Sequence, residues 1–327
     1  MSAPLLEVED LSVAFPGEGG HVRVVDRVDL SIAAGETLAL VGESGCGKSM
    51  TALAIMRLVP RPGRIEAGSH IRFDGRELRS LSVPQMRAVR GGQIGMIFQE
   101  PMTSLNPVTM VGEQVMEAIG LHASLAQTQA RERVLELFAL VGIPDPKQRF
   151  SAYPHKLSGG LKQRVMIAMA MAAKPRLLIA DEPTTALDAT IRAQILELLR
   201  NLSASTGTAL LLITHDFGVV NEVADRVAVM YAGRIVEEGT RRELLSRPRH
   251  PYAQGLLRSI PRPEARGQRL EEIKGAVPRP GHWPAGCRFH PRCPSAFAPC
   301  PTLEPERTAV SPTQGAWCHL VAEESQR

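Results

Sequence analysis

The sequence predicts an α/β fold: a nucleotide-binding core, an antiparallel β subdomain, a helical insert and a small Cys-containing C-terminal appendage. Three observations carry this. A Gly-rich loop, Gly42–Ser49, sits between a short apolar run and a helical stretch. Two further apolar runs end in residues suited to phosphate chemistry, Asp181-Glu182 and Thr214-His215-Asp216. Four of the five cysteines, Cys287, Cys293, Cys300 and Cys318, crowd the end of the chain.

At 327 residues the chain suits one large domain plus an appendage. An apolar fraction of 44% supports a full core. The formal charge of +4 is too mild to argue for nucleic acid, and 4% aromatics leaves few stacking platforms for single strands. No nucleic-acid partner is expected. The opening MSAPLLEVED is acidic and lacks a basic-then-apolar leader, so no secretory signal is expected. The longest apolar runs, such as Val165–Ala173, fall short of the ~20 residues that span a bilayer.

The loop Gly42-Glu43-Ser44-Gly45-Cys46-Gly47-Lys48-Ser49 fits the phosphate-binding pattern G-x-x-x-x-G-K-[ST], with Met50 directly after it. Its glycines let backbone N–H groups turn inward around a polyphosphate, where a Cβ would block the required conformations. Lys48 would reach the β- and γ-phosphates, and the Ser49 hydroxyl would ligate Mg²⁺. Thr37–Val41 reads as the strand before the loop. Met50–Leu58 reads as the helix after it, adding the positive end of its dipole. Cys46 fills a variable position.

Earlier in the chain, residues 5–15 and 21–32 alternate like two antiparallel strands. Phe15 reads equally as a stacking surface for adenine and as core. Ser69–Phe73 with Asp74-Gly75 suggests a hairpin. Gln93–Phe98 reads as a buried strand followed by Gln99-Glu100-Pro101, where Gln99 is either a ligand for Mg²⁺ or water, or a solvated loop residue. From about Asn106 to Ala173 the pattern is helical, with Val134, Leu137, Phe138 and Val141 on one face.

Leu157-Ser158-Gly159-Gly160 precedes the apolar helix Val165–Ala173. Ser158, Gly159 and Gly160 form an anion site in prospect, although capping alone would need only the serine. Leu177–Ala180 is a strand ending in Asp181, placed to hold Mg²⁺, and Glu182, placed to polarise an attacking water. Ala186-Leu187-Asp188 makes a turn before the helix Ile191–Leu202. The strand Ala209–Ile213 delivers His215 to a strand end, where it could sense a γ-phosphate. Arg226–Tyr231 and Arg234–Glu237 form a hairpin around Ala232-Gly233. Between 241 and 279, ten Lys/Arg stand against four Glu with several prolines, as in a solvated linker or a subunit contact.

Together these motifs resemble the ATPase subunit of ATP-binding cassette (ABC) transporters, a P-loop NTPase family. Gly42–Ser49 is similar to its Walker A loop, Gln99 to its Q-loop, and Leu157–Gly160 to its signature motif. Leu177–Asp181 is similar to its Walker B strand, Glu182 to its catalytic glutamate, Ala186–Asp188 to its D-loop and His215 to its switch histidine. Leu161 departs from the usual signature, which continues with Gln, while the Ser and both glycines are kept. The likeness places the ABC ATPase domain at 1–240, with a helical subdomain at about 100–173, and a C-terminal region at 241–327.

FQEPMTSLNP at 98–107, VMIAMAMAAKPRLLIADEPTTALD at 165–188 and RHPYAQGLL at 249–257 resemble the dipeptide/oligopeptide/nickel importer branch. The likeness is greatest to the D-type ATPase of dipeptide permeases. What it implies is an ATPase at the cytoplasmic face of the inner membrane, binding ATP and Mg²⁺ through Ser49, Gln99 and Asp181. The implied partners are a second, homologous ATPase subunit, two transmembrane permease subunits and an extracytoplasmic substrate-binding protein. Ser158–Gly160 would then serve the partner's ATP.

The tail spacing C-x5-C-x6-C-x17-C is unlike common zinc ribbons, and ligand count leaves Zn²⁺ and an iron–sulfur cluster open. The resemblance favours a 4Fe–4S cluster on Cys287, Cys293, Cys300 and Cys318. His290 and His319 keep a mixed zinc site in play, and four reduced thiols packing an appendage is the third reading. Two other functions compete. A soluble ABC protein of ribosomes or DNA repair usually carries two cassettes or a long insert, and this chain has one cassette and a short insert. A purely regulatory nucleotide module has no need of Glu182 and His215. Nickel or another peptide-like solute is the alternative cargo.

Overall fold

A computed structural model describes residues 3–17, 20–99, 104–185, 187–259 and 272–325. Glu100, Pro101 and Ala186, named above, lie outside them. The chain forms two compact units: Met1–Ile32 with Leu38–Arg79 and Thr214–Arg327, and Ala33–Thr37 with Ser80–Ile213.

The first unit contains the expected antiparallel subdomain. Strands β1 (Leu6–Gly17) and β2 (Gly20–Ile32) pair from Leu6↔Ile32 to Gly17↔Gly20, with register shifts between Val8 and Ala14. Asp10 and Arg27, both at positive φ, sit at those irregularities, which twist the ribbon. Leu6, Val8, Leu11 and Val13 turn inward and are buried, as alternation requires. Short strands β4 (Arg64–Ile65) and β5 (His70–Phe73) also pair with β1, and β6 (Arg76–Glu77) extends the sheet through Asp74-Gly75.

The same unit holds a second group of strands. Here β3 (Thr37–Val41) runs parallel to β10 (Arg226–Tyr231), and β10 turns back into β11 (Arg234–Thr240). Two strands with no clear sequence signal, β12 (Arg307–Ala309) and β13 (Gly315–Trp317), continue antiparallel from β11. Helix α1 (Lys48–Ile55) follows β3 and starts two residues earlier than expected, inside the loop motif.

Residues 241–259 are not a solvated linker. They form α9 (Arg241–Ser246) and α10 (Pro251–Arg258), and Tyr252 and Ala253 of α10 are wholly buried. Tyr231, Tyr252 and Phe289 pack with ring centroids 4.6, 5.2 and 5.3 Å apart, joining the C-terminal region to the core under β10. The basic residues stand on the outer faces of these helices, and apolar residues spaced between them supply the contact. Residues 260–271 lie outside the described part.

The second unit carries three parallel strands, β7 (Ile94–Ile97), β8 (Leu177–Asp181) and β9 (Ala209–Thr214), paired Ile94↔Leu177 and Leu177↔Ala209. All five residues of β8 are buried, as suits a parallel strand covered on both faces. Helix α2 (Val83–Val89) is opened by a Ser82/Gln85 capping box with Pro84 in its first turn. The helical insert follows as α3 (Val111–Gly120), α4 (Gln127–Leu140), α5 (Pro146–Phe150) and α6 (Gly159–Ala170). Val134, Leu137, Phe138 and Val141 are each fully buried, so the predicted face is the packed one. Helix α7 (Ala189–Thr206) lies between β8 and β9 and ends on Gly207 at positive φ. Among the described residues no helix is long and apolar enough to cross a membrane.

Candidate functional site

In the first unit, buried β3 feeds directly into Gly42 and the loop closes on α1. Gly47 has φ 111°, and a Cβ there would come within 2.7 Å of Met230 Cε and 2.9 Å of the Val24 carbonyl. No other residue fits, which fixes the turn that aims the start of α1 into the loop. The first N–H groups of a helix have no intrahelical acceptor and bear its positive dipole, so this is an anion-binding geometry. Lys48 is buried along its stem, and Nζ donates to the carbonyls of Gly42 at 2.8 Å and Glu43 at 3.0 Å. Ser44 and Gly45 are exposed, while Ser49 and Met50 are half-buried in the first turn of α1.

Cys46 is fully buried, and burial pushes its thiol up. That is the behaviour of a space-filling residue. Phe15, half-buried in β1, packs its ring against the Cα of Gly63, where a Cβ would come within 2.5 Å of it. His215 is exposed immediately after β9, and Asp216 accepts from the Gly218 N–H at 2.8 Å to start α8 (Phe217–Val223).

In the second unit, the structure brings Gln99 and Glu182 together. The amide Nε2 of Gln99 donates to Glu182 Oε2 at 3.4 Å, and Thr185 Oγ1 donates to the same oxygen at 2.9 Å. Glu182 has φ 46°, left-handed for a non-glycine, and its N–H donates to the Ile213 carbonyl at 2.9 Å. Such a conformation is held only where surroundings over-determine it. Asp181, the last residue of β8, is buried.

Ser158 accepts from the Leu161 N–H at 3.4 Å, so the simple capping role is realised. The glycines add something else. A Cβ on Gly160 would stand 2.7 Å from Ile191 Cγ2 on α7, and Ser158 with Gly159 remains exposed. Asp188 caps α7 by accepting from the Ile191 N–H at 3.0 Å.

The four tail thiols do converge. With His250, Phe289 and other residues they line one cavity of about 10 Å³. His250 is fully buried; its Nδ1 accepts from the Tyr252 N–H at 3.0 Å, and Nε2 has no partner among the described residues. Burial pushes the Cys287 thiol up to about 11 and also raises Cys293 and Cys318, which favours protonated thiols. Among the described residues no three His, Cys, Asp or Glu are disposed to hold a metal ion. On that ground this arrangement supports neither the expected 4Fe–4S cluster nor Zn²⁺.

Three residues around these motifs escape a sequence reading. Thr185 on Glu182 stands in the run after the carboxylates and is visible there as a hydroxyl three residues on. Tyr252 accepts from the Glu43 N–H at 2.9 Å, and Arg292 binds the Glu43 carboxylate. Both lie more than 200 residues from the loop, with no local signal.

A parallel-strand core, a Walker-type loop before a helix and strand-end carboxylates define a P-loop ATPase. Residues 25–185 match the family model described as ABC transporter, and residues 236–300 match the one described as oligopeptide/dipeptide transporter, C-terminal region. The chain belongs to the ABC transporter ATPase family, with the cassette fold. It is 50% identical over 315 residues to a probable peptide ABC transporter ATP-binding protein of Sinorhizobium fredii, covering 96% of this chain and 94% of that one. It is 51% identical over 302 residues to a dipeptide transport ATP-binding protein of Haemophilus influenzae, covering 92% and 91%. Among solved structures, the dimeric cassette MJ0796 in a post-hydrolysis state with ADP and phosphate is 26% identical. It superposes with a TM-score of 0.65 over 72% of this chain and 99% of that one.

Proposed function

We propose that the chain is the ATP-hydrolysing subunit that powers import of dipeptides or oligopeptides, working peripherally at the cytoplasmic face of the inner membrane. The observation that carries the cargo class is the similarity along nearly the whole chain to dipeptide and peptide transport ATP-binding proteins, C-terminal region included. In this reading residues 1–240 are the cassette and 241–327 the region particular to the branch.

The loop Gly42–Ser49 takes the phosphates of ATP, with Lys48 leaving its loop carbonyls for the β- and γ-phosphates. Phe15 takes the adenine. Mg²⁺, held by Ser49, Gln99 and Asp181, would neutralise charge on the transferring phosphoryl group. Glu182 accepts the proton of the attacking water, and Gln99 and Thr185 orient its carboxylate for that task. His215 hydrogen-bonds the γ-phosphate. Ser158, Gly159 and Gly160 cap the ATP of a second, homologous ATPase subunit, with Asp188 at the shared face. Hydrolysis then opens the pair and drives two permease subunits loaded by an extracytoplasmic binding protein.

The test is ATPase turnover of the complex reconstituted with its permeases and binding protein. Peptides are expected to raise turnover. Stimulation by nickel and not by peptides would replace the cargo, and turnover indifferent to both would remove transport. A 4Fe–4S or zinc centre would require the four thiols to rearrange; iron and zinc analysis after anaerobic purification tests it, and protein free of both metals removes it.

A further inference from the structure

The phosphate loop is gripped from outside by two side chains of the C-terminal region, both acting on its acidic member. The guanidinium of Arg292 meets both oxygens of Glu43 in a fork, Nη1 to Oε2 at 2.8 Å and Nη2 to Oε1 at 3.0 Å. Fork pairing is the strongest and most directional form of such a contact. The Arg292 side chain is 5% exposed. Its position is fixed independently of Glu43, because it also donates to the carbonyls of Lys274 at 2.9 Å, Ile273 at 3.2 Å and Gly275 at 3.3 Å. Tyr252, fully buried, accepts from the Glu43 N–H at 2.9 Å. The Glu43 carbonyl in turn accepts from Lys48 Nζ at 3.0 Å. Arg292, Glu43 and Lys48 thus form one continuous polar chain from the Cys-rich segment to the residue that reaches for phosphate.

A carboxylate in a phosphate loop is electrostatically adverse, since it repels the polyphosphate and competes for Lys48. A buried arginine on both of its oxygens removes that repulsion and leaves the carboxylate as an anchor.

We propose that Arg292 is a positioning residue for nucleotide binding. It cancels the charge of Glu43 and, with Tyr252, fixes the first turn of the loop, so that the C-terminal region sets the ATP affinity of this subunit. This rests on reading Gly42–Ser49 as the nucleotide site.

The experiment is equilibrium binding of a fluorescent ATP analogue to the full-length subunit, with circular dichroism confirming that each variant is folded. Lys48→Ala tests the underlying reading: lost binding upholds it, and unchanged binding overturns it. Arg292→Ala is expected to raise Kd about tenfold, the size of one charge-assisted contact. Adding Glu43→Gln to Arg292→Ala is expected to recover most of that loss, because no uncompensated charge then faces the phosphates. The loss in Arg292→Ala is also expected to shrink at high salt. Wild-type affinity in Arg292→Ala overturns the proposal. A double variant as weak as Arg292→Ala overturns the charge argument, since a merely structural role would give that result.

Discussion

Asp26 offers the sharpest test of how the first unit is held together. Its side chain is 2% exposed and accepts from Arg23 Nη1 at 3.0 Å, from Arg234 Nε at 2.8 Å and from Arg288. Burial pushes its carboxyl up, but the charges of Arg234 and Arg288 outweigh burial and hold it below the usual range. Asp26→Asn keeps the shape and deletes the charge, leaving Arg234 and Arg288, whose side chains are 18% and 12% exposed, to repel each other. Losing one member of a buried ion pair costs about 3–5 kcal/mol. Asn retains one acceptor oxygen and Arg234 retains Glu304, so the low end, about 3 kcal/mol, is expected. Arg23, 46% exposed, adds at most about 0.5 kcal/mol. Urea unfolding should show a lower midpoint at unchanged slope. The exposed control Asp29→Asn should stay within about 0.5 kcal/mol of the parent. A loss under about 1 kcal/mol for Asp26→Asn, well below the buried-pair range, would refute this reasoning.

Burial alone would raise Glu243, but hydroxyls of Ser311, Thr240 and Thr313 and the Thr240 N–H hold it down to about 2. A carboxylate whose folded pKa is depressed stabilises above its unfolded value, here 4.5, and loses that contribution as pH falls toward 2. Glu243→Gln should therefore lower stability at pH 7 and flatten the acid slope between those values, read by thermal melting across pH; an unchanged slope would contradict it. Gly160→Ala places a Cβ 2.7 Å from Ile191 Cγ2 and should cost about 1–3 kcal/mol by overpacking, measured by calorimetry; parental stability would show that α6 and α7 adjust freely.

Local chemistry explains which parts were legible in sequence. The loop Gly42–Ser49, Asp181 at the end of β8 and His215 just after β9 carry particular residue types at fixed spacing, because a phosphate demands particular groups at particular backbone positions. The buried face of α4 is legible for a similar reason, through its helical period.

Contacts over long separations carry no such pattern. Arg292 reaches Glu43 across 249 residues, and the three-residue strand β13 pairs with β11 through Glu237↔Ala316 and Glu238↔Gly315, nearly 80 residues earlier. The basic stretch after 240 misleads because charge count ignores which face each residue occupies: Tyr252, Ala253 and Leu257 are the packed face of α10. The tail cysteines mislead in the opposite sense. Their number suggests a metal centre, while among the described residues no three His, Cys, Asp or Glu are disposed to hold one, and burial raises the thiols of Cys287, Cys293 and Cys318.

The proposed hydrolysis of ATP turns on Glu182 acting as the base, held by Gln99 and Thr185. Measuring ATP binding and single-turnover phosphate release by the assembled complex, with and without Glu182→Gln, tests it most directly. Retained ATP binding and at least about a 100-fold fall in phosphate release are expected, within the range general-base catalysis supplies. Phosphate release at the parental rate from Glu182→Gln would contradict it.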